Sequence, residues 1–180
     1  HGVRLGDAEM QAVTIVGNHL AVAERHVDVP IADQLVVEVA GAGSNRGDLM
    51  EGAGRYPPPP GVPADIPGLE FAGTVRGTGP LVRSFGPGDK VFGIIGGGAQ
   101  AELVLTTEDQ CVRVPSGLDL VEAGGVPEVL MTAHDAMVTL ASLKAGERVL
   151  VHAVGSRSGQ EGARETCLAL LRFSGFRPSK

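Results

Sequence analysis

Ser44-Asn45-Arg46-Gly47-Asp48-Leu49-Met50, carried on by Arg55-Tyr56-Pro57-Pro58-Pro59-Pro60-Gly61, is the stretch on which the reading of this chain turns. It follows an apolar run with strand character, Leu35-Val36-Val37-Glu38-Val39-Ala40, so it begins where a strand leaves the core. Asn45 and Tyr56 are neutral hydrogen-bonding side chains on what reads as irregular backbone, where ligand contacts concentrate. The four prolines fix φ and carry no backbone donor, which predicts a stiff, extended arm that positions Tyr56. Composition alone favours a plainer reading, a surface turn bearing a polyproline ligand motif.

Outward from this stretch, short strands alternate with Gly and Pro punctuation. Upstream, Val13 to Val16 and Leu20 to Ala23 flank Gly17-Asn18 and predict a hairpin, and Val27 to Pro30 reads as a connector. Downstream, strand character returns at Ile66 to Val75, Val91 to Ile95, Ala101 to Leu105 and Cys111 to Val114. Phe85-Gly86-Pro87-Gly88-Asp89-Lys90 is a turn by mechanism, Pro presetting φ and Gly supplying positive φ. This spacing predicts a small β-barrel.

The period changes at Leu118. Asp119 to Ala123 predicts a short helical turn. From Pro127, the residues Val129, Leu130, Ala133, Ala136, Met137 and Leu140 share one helix face. Pro127 suits the first helical position and Glu128 the positive end of the dipole. Arg148 to Val154 then reads as a buried strand running into Gly155-Ser156, the opening of a dinucleotide-binding unit.

Composition narrows the function classes. The chain has 180 residues, enough for one well-buried domain, and 27 glycines, one Tyr and no Trp imply a turn-rich core of Val, Leu and Ala. A net charge of −6 gives no electrostatic reason to expect a nucleic-acid partner. No apolar stretch is long enough for a membrane span, and Arg4, Asp7 and Glu9 interrupt any signal-peptide core. Cys111 and Cys167 make no metal or disulfide spacing, so a reducing, cytoplasmic location is expected.

The strand, the Asn-Arg-x-Asp-Leu turn at 45–49 and the Tyr-Pro-Pro-Pro-Pro-Gly loop at 56–61 together resemble the zeta-crystallin-like quinone oxidoreductases. These are zinc-free members of the medium-chain dehydrogenase/reductase superfamily. The resemblance runs from about Met10 to about Ser156. It implies a mainly β fold: a GroES-like partly open β-barrel, then a connector helix and the first strand of an incomplete Rossmann domain. The corresponding boundaries are an extension at 1–9, a GroES-like catalytic domain at 10–125, the helix and nucleotide-binding start at 126–159, and a tail unlike the family at 160–180.

The activity it implies is hydride transfer from NADPH to a quinone or other conjugated carbonyl. Asn45 would hydrogen-bond cofactor or substrate, and Tyr56 would steer the carbonyl and assist its protonation. Thr132, in Met131-Thr132-Ala133, would orient the nicotinamide; without the resemblance it reads as an ordinary polar helix residue. Gly155, Ser156 and Gly159 match the family's pyrophosphate turn, Gly-Ser-Gly-Val-Gly, but Arg157 and Ser158 replace a Gly and a Val. A side chain at 157 is expected to hold the backbone amides away from the phosphates.

Further on, residues 160–180 carry no second strand and no acidic residue to hold a ribose. A shifted reading frame or truncated gene is therefore expected, with cofactor binding impaired, the chain alone inactive and the family's dimer interface missing. An enoyl-thioester reductase, which shares the tyrosine-bearing loop, is one alternative. An inactive fragment or small binding domain, exposing an apolar face at Val149 to Val154, is another.

Three other patterns carry less. Gly41-Ala42-Gly43-Ser44-Asn45-Arg46 follows a strand like a nucleotide fingerprint, but ends in Arg where Gly is needed. Zinc-dependent members of the superfamily have a Cys near position 44 and a Gly-His-Glu where this chain has Gly68-Leu69-Glu70, so no metal site is expected and Glu70 reads as structural. His19, His26, His134 and His152 show no ligand spacing, and no Gly-x-Ser-x-Gly supplies a nucleophile.

Overall fold

A computed structural model describes residues 9–17, 19–144 and 147. The chain separates into two compact units, with the boundary between Pro127 and Glu128, and each is taken by itself.

Strands β1 (Glu9–Val16) and β2 (His19–His26) form the antiparallel hairpin that the apolar pattern predicts. Pairing starts at Glu9↔His26, one residue before the expected domain edge at Met10. Gly17 turns the chain at φ 61°, a region that favours glycine.

Five further strands make one antiparallel sheet: β3 (Gln34–Ala42), β4 (Glu70–Thr78), β5 (Lys90–Ile94), β6 (Leu103–Thr107) and β7 (Cys111–Arg113), in the order β6-β3-β4-β5-β7. Leu35 and Val37 of β3 join Phe71, Val75, Val91, Val104 and Cys111 in one buried cluster. Val36, between them in sequence, packs with Met10, Ala12, Val27 and Ile66 in a second. A strand covered on both faces reads as an unbroken apolar run, hence Leu35-Val36-Val37.

Residues 100–102 join the hairpin to this sheet. Gln100 accepts from the Val13 amide at 2.8 Å, Glu102 donates to Gln11 at 3.0 Å, and Glu102 accepts from Val39 at 2.9 Å. With the Ala12↔Ala101 bridge, these bonds curl the two sheets toward one another as a partly open barrel.

β4 starts later than its apolar pattern suggests. Pro67 has no amide to donate and Gly68 sits at φ 113°. The carbonyls of Ile66, Pro67 and Gly68 accept instead from Gly98, Gln100 and Ala99, at 2.8, 2.9 and 3.1 Å. The ladder therefore opens at Glu70. At the other end of the sheet, Gly86 to Asp89 forms the expected turn, with the Asp89 amide donating to Gly86 at 3.1 Å and Gly88 at φ 95°.

A 3-10 turn, Glu122–Gly125, precedes helix α2 (Pro127–His134), which begins on the predicted proline. The predicted apolar stripe does not continue as an α-helix. Asp135–Leu140 is π-helical, which rotates its side chains away from the α-helical face. Val129, Leu130, Ala133 and Met137 are half-buried, whereas Ala136 and Leu140 are exposed. The strand expected near Arg148 to Val154, the turn with Gly155, Ser156 and Gly159, and the 160–180 tail lie outside the described residues. Among the described residues, no helix is long and apolar enough to cross a membrane.

Candidate active site

The turn at 45–49 is not irregular backbone. Arg46–Gly52 is a short helix, α1, with Asn45 as its N-cap at φ −112°, ψ 161°. Two glycines in seven residues weaken its intrinsic propensity, and its length hides any period. The signal that could have found it is the Asn45…Asp48 spacing. Asp48, at the third helical position, accepts from the Asn45 amide at 2.7 Å, the returning half of a capping box.

The Asn45 side chain also reaches outside the helix. Its Nδ2 donates to Oε1 of Glu70 at 2.8 Å. Glu70 is 2% exposed at the start of β4, so the bond ties the head of α1 to the sheet inside the protein. Gly43 makes room for it, because a Cβ at that position would run into the Glu70 carboxylate. That close approach, rather than phosphate binding, accounts for Gly43 in the fingerprint-like run 41–46. The structural role expected of Glu70 is thus specific: it holds Asn45.

At its other end, α1 passes into the tyrosine arm. The amides of Gly54 and Arg55 donate to Glu51 and Met50, each at 2.8 Å, and Tyr56 follows directly. Tyr56 is 45% exposed. Residues 57–59 carry no regular hydrogen-bonded structure, as a proline run requires. Pro59 lies against Gly96, where any Cβ would collide with the ring. Asn45 thus caps one end of α1, and Tyr56 follows four residues beyond the other end, with about 10 Å of helix between.

Beneath α1 are two carboxyls that sequence reasoning passed over. Asp48 and Glu51 are 8% and 5% exposed. Asp48 Oδ1 and both Glu51 oxygens have no hydrogen-bond partner. Burial pushes both groups above the usual carboxylate range. For Asp48, the amides of Asn45 and Gly68 work against that rise, while for Glu51 the charge of Asp48 adds to it.

Thr132 lies on α2, in the second unit. Its hydroxyl donates to Glu128 Oε1 at 3.3 Å, one turn earlier. Among the described residues no three His, Cys, Asp or Glu side chains are grouped to hold a metal.

A GroES-like barrel whose inner strand β3 runs into an Asn-capped helix defines the class, and comparison agrees with it. Residues 31–116 match the alcohol dehydrogenase GroES-like domain family. In this region the chain is similar to members of the medium-chain dehydrogenase/reductase superfamily. It is 34% identical over 166 residues to the mouse synaptic vesicle membrane protein VAT-1 homolog-like, covering 89% of this chain and 40% of the relative. It is 32% identical over 154 residues to a quinone oxidoreductase of Lama guanicoe, covering 83% of this chain and 46% of the relative. The crystal structure of human VAT-1 homolog-like protein superposes with a TM-score of 0.79 at 29% identity, covering 92% of this chain and 53% of that one. The chain thus spans less than half the length of these two curated relatives.

Proposed function

We propose that this chain supplies the substrate-facing wall of a metal-free, NADPH-dependent reductase acting on a quinone or other conjugated carbonyl. The observation that carries the reading is the Asn45–Glu70 bond, which fixes a neutral amide at one end of α1 while the other end presents a phenol to solvent. Its similarity to a quinone oxidoreductase supports the substrate class.

Among the described residues the site fits the nicotinamide end of such a cofactor: amide and phenol can meet a carboxamide and a carbonyl without any fixed charge. The bound dihydronicotinamide supplies the hydride. Tyr56 hydrogen-bonds the substrate oxygen, opposing the negative charge that builds there, and gives up its proton. Asn45 orients the carboxamide.

The test is quinone-dependent oxidation of NADPH by the purified chain, with crotonyl-thioester as comparator. Weak but saturable turnover, held down by Arg157 in the pyrophosphate segment and lowered about a hundredfold further in kcat by Tyr56→Phe, is expected in place of the inactivity read from the sequence. Preference for the thioester would reassign the site to an enoyl-thioester reductase. Absence of saturable NADPH binding would leave a non-catalytic binding domain.

A further inference from the structure

The buried carboxyl pair under α1 has no part in the reaction described above. Both Glu51 oxygens are enclosed without a donor, and Asp48 Oδ1 has only the Gly68 amide near it. An ionised carboxylate in such a place is costly, and two side by side are costlier. The groups around Glu51 offer no relief. Residues 96–100 are Gly-Gly-Gly-Ala-Gln and hold no charge. From residues 57–69, Val62 and the Ile66 carbonyl share the space with a Glu51 oxygen beside Gly97. The acidic residue of that segment, Asp65, is bonded to Arg25 at 2.6 Å. Glu70, on β4, accepts from Asn45. Arg46 and Arg55 are exposed, and Arg55 and His19 of β2 line an open pocket together with Asp48.

The two carboxyls are not equivalent. Asp48 Oδ2 accepts from the Asn45 amide at 2.7 Å and from Gln100 Nε2 at 3.4 Å. Glu51 has neither kind of support, so it is the one that keeps a proton.

We propose that Glu51, buried near anionic Asp48, keeps its proton, and that this proton locks α1 and with it both Asn45 and Tyr56. Asp48 stays anionic and caps Asn45, while a neutral Glu51 keeps a second charge out of the enclosure. Loss of the proton puts a second charge into the same enclosure and drives α1 off the barrel. The helix carries Asn45 at one end and, through the Gly54 and Arg55 amides, Tyr56 at the other. Both site residues then lose their positions together. Glu51 and Asp48 are positioning residues, and the lock stands whether or not the cleft takes a nicotinamide.

Tyr56 makes the device observable. It is the chain's only tyrosine and there is no tryptophan, so tyrosine fluorescence reports on this arm. The experiment follows that fluorescence and the thermal midpoint of the purified chain from about pH 4 to about pH 8.5, below tyrosine's own titration near 10. For the wild type, both should change together as pH rises through a midpoint above the ordinary carboxylate value. Glu51→Gln, a neutral isostere, should flatten both curves and remove the infrared band of a protonated carboxyl. Asp48→Asn should move the midpoint down, since the neighbouring charge is gone. Superimposable pH profiles for wild type and Glu51→Gln, or no protonated-carboxyl band at neutral pH, would overturn the proposal. If Glu51→Gln folds poorly, Glu51→Met serves the same comparison.

Discussion

The Asn45 side-chain amide donates to Glu70 across 2.8 Å, joining the cap of α1 to the first residue of β4. Glu70 follows Asn45 by 25 positions, and the whole tyrosine arm lies between the two. The bond therefore closes the loop at its base and leaves the arm free to face a ligand. A buried acceptor that loses its donor bears the desolvation cost alone, and the loss exceeds the net worth of the bond.

Removing that bond should be visible in folding. Asn45→Ala is expected to cost about 1–3 kcal/mol in urea unfolding, because Glu70 keeps its burial and loses a donor. In a double-mutant cycle with Glu70→Gln, the coupling should be about 1 kcal/mol or more. Additive single effects would show the contact to be incidental.

Gly43→Ala should produce the same defect from the other side. Its methyl group would collide with the Glu70 carboxylate, displacing the group that holds Asn45. A loss of about 1–3 kcal/mol is expected, with Gly86→Ala as a control, since nothing lies near a Cβ there and its φ is not positive.

Acid stability should depend on Asp89. Arg113 lies 2.7 Å from its carboxylate, and that hydrogen bond, followed by the Gly86 amide, holds Asp89 below the usual range. A carboxylate with a depressed folded value contributes stability above its unfolded value, and the contribution disappears as pH falls through the folded one. The Asp89→Asn thermal midpoint should fall less steeply than wild type below about pH 4, and salt should shrink the difference. Parallel acid limbs would remove Asp89 from the account.

Cys111 should be inert while the chain is folded. Burial, the largest influence, pushes its thiol up to about 12, so almost no thiolate exists at neutral pH. Mass spectrometry after alkylation should find the Cys111 peptide unmodified in buffer and modified in denaturant. Rapid labelling in buffer would mean that the core around Phe71 and Val91 opens readily.

Most of the barrel could be read from the chain because each strand announces itself locally. Val13 to Ala23 alternates around Gly17, and Gly86-Pro87-Gly88-Asp89 can do little but turn. The start of β4 was less legible: Ile66 is apolar enough for a strand, but its carbonyl bonds to Gly98 in a neighbouring loop, a partner that no local pattern shows. Helix α1 was missed because capping and packing, not periodicity, sustain seven residues that include two glycines. Asn45 and Tyr56 stood out through family resemblance. Glu51 gave no sign at all, since an acidic residue beside glycines normally signals solvent, and only the fold places it under the arm.

Nuclear magnetic resonance of the isotopically labelled chain, titrated with NADPH and then with a soluble quinone, tests the central reading most directly. The account predicts saturable shifts centred on the Asn45 side-chain amide and the Tyr56 ring, weakened in Asn45→Ala and Tyr56→Phe. Shifts that avoid both residues, or none at saturating ligand, would contradict it.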